Sequence, residues 1–277
     1  MRTYDDYLLE YSDSEQIITV FITTGFGGAT RIDGYRNIVA YFPVMIDSNN
    51  RLVEEDGRIE ILVSNDDFDK NEYIKLEDNG IYKLLVSKCI PKELSPNILP
   101  IMNNRYLLKC VISRCESADA TQSLISYREE YLKDVIVNIE GTDFVLNRRF
   151  GWYKGCCNFD GNLCSIFLYL DKGSKLSALN ASERFKSVVH CLEDWNKNIV
   201  DRFISDLLSL ANEWKEDEFA PDITPEQFAD NLYLSNIVIF SDKRMEFSYG
   251  DNDLFGGHSI IAKINDKDEI TECNIAG

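Results

Sequence analysis

Three residues near the end of the sequence combine side chains that could do chemistry: Asp251, Asp253 and His258, in the segment GDNDLFGGHSI. Aspartates two positions apart point the same way in an extended loop. Gly250, Gly256 and Gly257 permit positive φ or close backbone approach around them. His258 is one of two histidines in the chain. It opens a strand pattern in which Ile260, Ala262 and Ile264 share its face, which predicts a partly buried ring. Such an imidazole needs a partner, and Asp253 or Asp251 would fix its tautomer and close the loop. That loop clasp is the first reading. The second is a metal site, because carboxylate oxygens with one imidazole suit Mn, Zn or Fe. Asp251, Asp253 and His258 are then the candidate metal ligands, but a closed site usually needs a fourth. The other histidine, His190, falls beside the apolar stripe of a predicted helix. In the third reading His258 is a general base oriented by an aspartate, and the same three residues are the catalytic candidates.

Other suggestive segments carry less. TTGFGGATRIDG has the glycines of a phosphate loop but lacks the Lys-Ser or Lys-Thr ending and the following helix, so it reads as a flexible hairpin connection. The dinucleotide fingerprint fails for the same reason, and no cofactor is expected. No serine sits in a G-x-S-x-G context. Cys156 and Cys157 are adjacent, but successive strand residues face opposite sides and cannot jointly grip a metal. A two-residue Asp160-Gly161 loop would instead set Cys157 opposite Cys164, on the face carrying Ile166, Leu168 and Leu170. Packed core thiols are the preferred reading there, with a redox switch behind it.

The chain has 277 residues, 44% hydrophobic and 12% aromatic, enough for two real cores. Its 29 basic and 47 acidic residues give a net charge of −18. That field repels nucleic-acid backbones and anionic membranes, so neither is an expected partner. It would attract a basic protein. The acidic start MRTYDDYLLEYSDSE lacks the basic end and apolar run of a secretory signal. The eight scattered cysteines lack paired C-x-x-C spacing, so reduced thiols in a cytoplasmic protein are expected.

The elements that must position these residues divide near residue 130. In residues 1–130, QIITVFITT, RNIVAYFPVMI, RIEILVS, IYKLLVS and RYLLKCVIS read as five strands between Gly, Asn, Asp and Pro punctuation, suggesting a small β-barrel-like domain or a strongly bent sheet. A helix follows, with Ser117 or Asp119 as its cap. Residues 131–277 predict an α+β domain. YKGCCNF-DG-NLCSIFLYL is a hairpin with a two-residue loop. Asn180 and Glu183 form a capping-box pattern at the head of one long helix, whose apolar positions run from Phe185 through Val188, Leu192, Ile199, Phe203 and Leu207 to Trp214. Thr224-Pro225 starts a short helix. Four strands in a meander end the chain, giving an antiparallel sheet packed against one long and one short helix. Trp152, Trp195 and Trp214 read as core residues. The acidic runs at 216–218 and 266–269 read as solvated turns.

The succession GWYKG, the hairpin, NEWKED, DITPEQFADNL, IVIFSD, MEFSYGDNDLFGGHSI and NIAG resembles an uncharacterised bacterial family, domain of unknown function 2262, over about residues 150–277. The N-terminal β region is similar to the companion segment often found before that domain. The resemblance implies a bacterial α+β protein and no activity. Together these features point away from an enzyme and toward an intracellular protein-binding module, by analogy of the immunity type. The alternative is a metal-assisted hydrolase built on Asp251, Asp253 and His258.

Overall fold

The computed structural model describes residues 3–95, 100–115, 121–215 and 219–276. The caps expected at Ser117 or Asp119 and the acidic run at 216–218 lie outside the described residues. The chain forms two compact units, Met1–Lys133 and Asp134–Gly277.

The first unit contains α1 (Tyr4–Leu8), β1 (Tyr11–Phe21), β2 (Thr24–Ile32), β3 (Tyr35–Phe42), β4 (Val44–Ile46), β5 (Leu52–Val53), β6 (Gly57–Ser64), α2 (Asn65–Asp69), β7 (Ile81–Cys89), a 3₁₀ turn (Pro100–Asn103), β8 (Arg105–Arg114) and α3 (Gln122–Tyr131). Its eight strands run β2-β3-β6-β8-β7-β1-β4-β5, so the sheet is open at β2 and β5 and the described pairings close no barrel. Two sequence expectations change here. Pro43 cannot donate to a ladder, and it splits RNIVAYFPVMI into β3, paired with β2 and β6, and β4, paired with β1. TTGFGGATRIDG is strand β2 rather than a flexible connection. It pairs with β3 through register shifts on either side of Gly27, where the glycines absorb the irregular backbone.

The second unit contains β9 (Ile136–Ile139), β10 (Thr142–Asn147), β11 (Trp152–Phe159), β12 (Asn162–Tyr169), α4 (Leu179–Val189), α5 (Leu192–Glu213), α6 (Pro225–Asp230), β13 (Tyr233–Ile239), β14 (Met245–Gly250), β15 (Ser259–Ile264) and β16 (Ile270–Ala276). Its strands run β16-β15-β14-β13-β12-β11-β10-β9. The sheet is mixed, not purely antiparallel as expected: β12 and β13 are parallel because α4, α5 and α6 carry the chain back before it re-enters. The expected hairpin is present. Asp160 and Gly161 have φ of 48° and 78°, and Cys157 pairs with Cys164.

The single long helix is two helices. His190 caps α4, and Cys191, at φ −129° and ψ 29°, leaves helical geometry before α5 begins. Asn180 is not the cap either. Asp171, just after β12, accepts hydrogen bonds from Leu179 N–H at 2.8 Å and Asn180 N–H at 3.2 Å, so the orphan donors of α4 are met from outside the helix. Thr224 caps α6 with Gln227 in the expected capping box. Phe185, Val188, Ile199, Phe203, Leu207 and Phe228 bury their apolar faces on Ile166, Leu168, Ile237, Phe247 and Ile260. Each such side chain contributes roughly 1.5–3 kcal/mol of transfer free energy.

Candidate functional site

The Asp251 loop joins β14 to β15. Asp251 is 4% exposed. Its Oδ1 accepts from the Asp253 N–H at 3.1 Å and its Oδ2 from the Phe255 N–H at 2.8 Å. The turn is tight, with positive φ at Asn252, Asp253, Gly256 and Gly257. Its product is the placement of Phe255, fully buried and edge-on to Trp214 at 5.7 Å and to Phe228 at 6.4 Å. Asp253 is exposed. His258 lies edge-on to Trp214 at 6.0 Å, and its backbone N–H donates to the Phe255 carbonyl. The loop is therefore held by Asp251 and the backbone, with the His258 ring on the Trp214 side. Among the described residues no group of three or more His, Cys, Asp or Glu side chains is arranged to hold a metal ion. His190 is exposed, 3.4 Å from Glu140 Oε2.

A second feature escaped the sequence reading. All core residues of the second unit lie on the sheet face that carries α4, α5 and α6. Alternation along each strand sends the remaining side chains to the opposite face. Tyr153 faces the core, so Trp152 cannot, contrary to its expected place. On this opposite face, Ile136, Val145, Lys154, Phe167, Val238, Glu246, Lys263 and Glu272 form one row of paired residues across all eight strands. Beside it, Trp152 stacks on Phe150 at 4.9 Å and meets Phe167 at 5.2 Å and Tyr169 at 5.4 Å, while Tyr169 meets Phe240 at 5.0 Å. Phe150 is 53% exposed and Leu163, on the same face, 68%. Three of the basic ends here lie over rings, Lys154 over Phe167, Arg149 over Phe150 and Arg244 over Phe240, while Lys263 pairs with Glu272 at 2.9 Å. A readable signal existed. NLCSIFLY is apolar on both alternating faces, as in strands covered from two sides.

The first unit holds a buried polar cluster. Glu60, in the centre of β6, is fully buried. It pairs with Arg58 and lies 3.8 Å from Arg105, and it accepts hydrogen bonds from Tyr7, Tyr11 and Asn37. Arg105 also holds Glu10 at 2.9 Å. Burial pushes the Tyr11 hydroxyl far above its ordinary pKa. Burial opposes the charge of Arg105, but Tyr11 and the carboxylates of Glu10 and Glu60 outweigh it and hold Arg105 above its ordinary value. Glu10 and Glu60 face Arg58, Arg105 and the exposed Lys92, so each charge has a partner and the cluster fastens α1 and β1 to the sheet. The sequence signal was a lone glutamate inside RIEIL. A separate groove of 720 Å³ beside α5 is lined by Asp194, Trp195, Asp201, Arg202, Asp268 and Ile270. Two of its charges are paired, Arg202 with Asp206 and Asp268 with Arg184.

Fold and surface together define a two-unit α+β protein whose second sheet is backed by helices on one face. Residues 141–275 match the family described as uncharacterised proteins conserved in bacteria, domain of unknown function 2262, and the second unit belongs to that family. Residues 5–127 match a further domain of unknown function, 7021. No curated protein matches the chain. No helix among the described residues is long and apolar enough to cross a membrane.

Proposed function

We propose that this protein is a non-enzymatic, cytoplasmic protein-binding module of the immunity type, and that a basic protein partner docks on the helix-free face of the second sheet. The observation that carries the reading is the cluster of Phe150, Trp152, Phe167, Tyr169 and Phe240 on that face. Interface cores are enriched in aromatic residues and depleted of charge. On this face Lys263 pairs with Glu272 and Arg244 with Asp242, while the whole chain stands at −18. The chain's field would steer a basic partner, and the rings would supply the contact that holds it. Eight free cysteines suit a reducing compartment. The loop geometry favours a structural role for Asp251, which is 4% exposed and turned to the backbone N–H groups of Asp253 and Phe255, while Asp253 is exposed.

The test is parallel capture from a lysate of a bacterium carrying this protein, with the wild-type chain and with a Phe167→Asp variant of unchanged thermal stability. A basic protein held by the wild type, released as salt rises and absent from the variant is the expected result. Identical captures by both chains would sink the proposal.

A further inference from the structure

The hairpin β11–β12 sets Cys157 directly opposite Cys164. Directly opposed residues on antiparallel strands have Cα atoms about 4.5–5.5 Å apart, inside the roughly 4.4–6.8 Å that a disulfide spans. Both thiols are free and interact with each other, and Cys164 Sγ also donates to the Ser165 carbonyl at 3.8 Å. They differ in access: Cys164 is fully buried, whereas Cys157 is half-buried at the margin of the core. We propose that Cys157 and Cys164 form a thiol–disulfide site, oxidised reversibly by low-molecular-weight disulfides, with Cys157 as the attacking thiol and Cys164 as the resolving one.

The asymmetry of the pair supports that division of roles. A hydrogen bond from Cys164 lowers the Cys157 thiol to about 7 against the opposing effect of burial. The same hydrogen bond, together with burial, holds the Cys164 proton in place far above the ordinary thiol range. A thiolate near neutrality is the form that attacks. In the first step Cys157 Sγ attacks one sulfur of the small disulfide, forming a protein–small-molecule S–S bond and expelling one small thiolate. In the second, Cys164 gives up its proton to that thiolate and attacks Cys157 Sγ. The Cys157–Cys164 bond forms and the second small thiolate leaves, taking up the proton that Cys157 had released. Two protein thiols are oxidised by two electrons, and one small disulfide is reduced to two small thiols. Cys156, next in sequence, points to the opposite sheet face and is not the partner.

The experiment treats the native full chain with oxidised glutathione, quenches with acid and maps the unreduced peptides by mass spectrometry. The expected product joins Cys157 to Cys164 and disappears on treatment with reduced glutathione. A Cys156→Ser variant should give the same product. Cys164→Ala should stop at glutathione on Cys157. In that variant the midpoint for Cys157 alkylation should rise from about 7 toward the ordinary 9. Glutathione found only on Cys156, a stable adduct on Cys157 of the wild type, or no reaction of Cys157 would each overturn the proposal. Because the wild-type readout needs no substitution, a Cys164 variant that fails to fold leaves the test intact.

Discussion

Replacing Asp251 by alanine tests how the β14–β15 loop is held. The carboxylate is 4% exposed and accepts from two backbone N–H groups, that of Phe255 fully inside the core. Alanine leaves both donors without that acceptor, at roughly 1–3 kcal/mol for a buried one and less for the partly buried Asp253 N–H. The expected loss is about 2–4 kcal/mol. For a unit of this size 1 kcal/mol moves Tm by roughly 2–4 °C, so the midpoint should fall by about 4–16 °C. Asp253→Ala and His258→Ala remove an exposed carboxylate and a ring with an edge contact to Trp214, and each should cost less than about 1 kcal/mol. Thermal unfolding followed by circular dichroism, with urea titration as a second measure, reads all three. If Asp251→Ala melts with the wild type while His258→Ala is severely destabilised, the loop is clasped through the imidazole and the present account of it is wrong.

Glu60→Ala should destabilise the first unit by about 3–5 kcal/mol, because it leaves Arg58 without its carboxylate partner and Arg105 with Glu10 alone; urea unfolding checks this, and Tyr11→Phe, which removes a hydrogen bond to a charged group, should cost about 1.5–3 kcal/mol. Burial opposes ionisation of Asp171, but hydrogen bonds from Ser177, Leu179 and Asn180 outweigh it and hold its carboxyl below the ordinary value. Its stabilisation of α4 is therefore fully present above the unfolded pKa near 3.8 and is lost as pH falls through the lower folded value. Asp171→Ala should cost about 1 kcal/mol at neutral pH, as a lost helix cap does, and the difference from wild type should shrink in acid. Gly250→Ala places a Cβ 2.1 Å from the Tyr233 ring, so the ring must swing away, and a changed Tyr233 environment in NMR spectra should report it.

Much of the second unit is legible in sequence because local chemistry decides it. Asp160-Gly161 fixes the register of a hairpin, Thr224-Pro225 starts a helix, and alternation places Cys164, Ile166 and Leu168 together. What escaped depends on contacts that local periodicity does not carry. The break at His190 follows a run of apolar residues that periodicity alone joins into one helix. The Asp171 cap reaches α4 from the end of another element, and the parallel β12–β13 pair is set by how three helices return the chain. The pull of Asp251, Asp253 and His258 came from residue type and spacing. Their geometry divides them, with Asp251 turned to the backbone and His258 to Trp214. The aromatic face went unseen because Trp152 looks like core until its neighbour Tyr153 is known to occupy that side.

The central claim is that the helix-free sheet face binds the partner. Its most direct test is the Kd of the captured basic protein for the wild type, for Trp152→Ala, Phe167→Ala and Tyr169→Ala, and for Asp194→Ala and Asp201→Ala in the α5 groove. At least one of the aromatic variants should weaken binding about 30-fold, the roughly 2 kcal/mol of an interface hot spot, while the groove variants stay within about twofold. Unchanged binding in all three aromatic variants, or a loss confined to the α5 groove, would contradict the account.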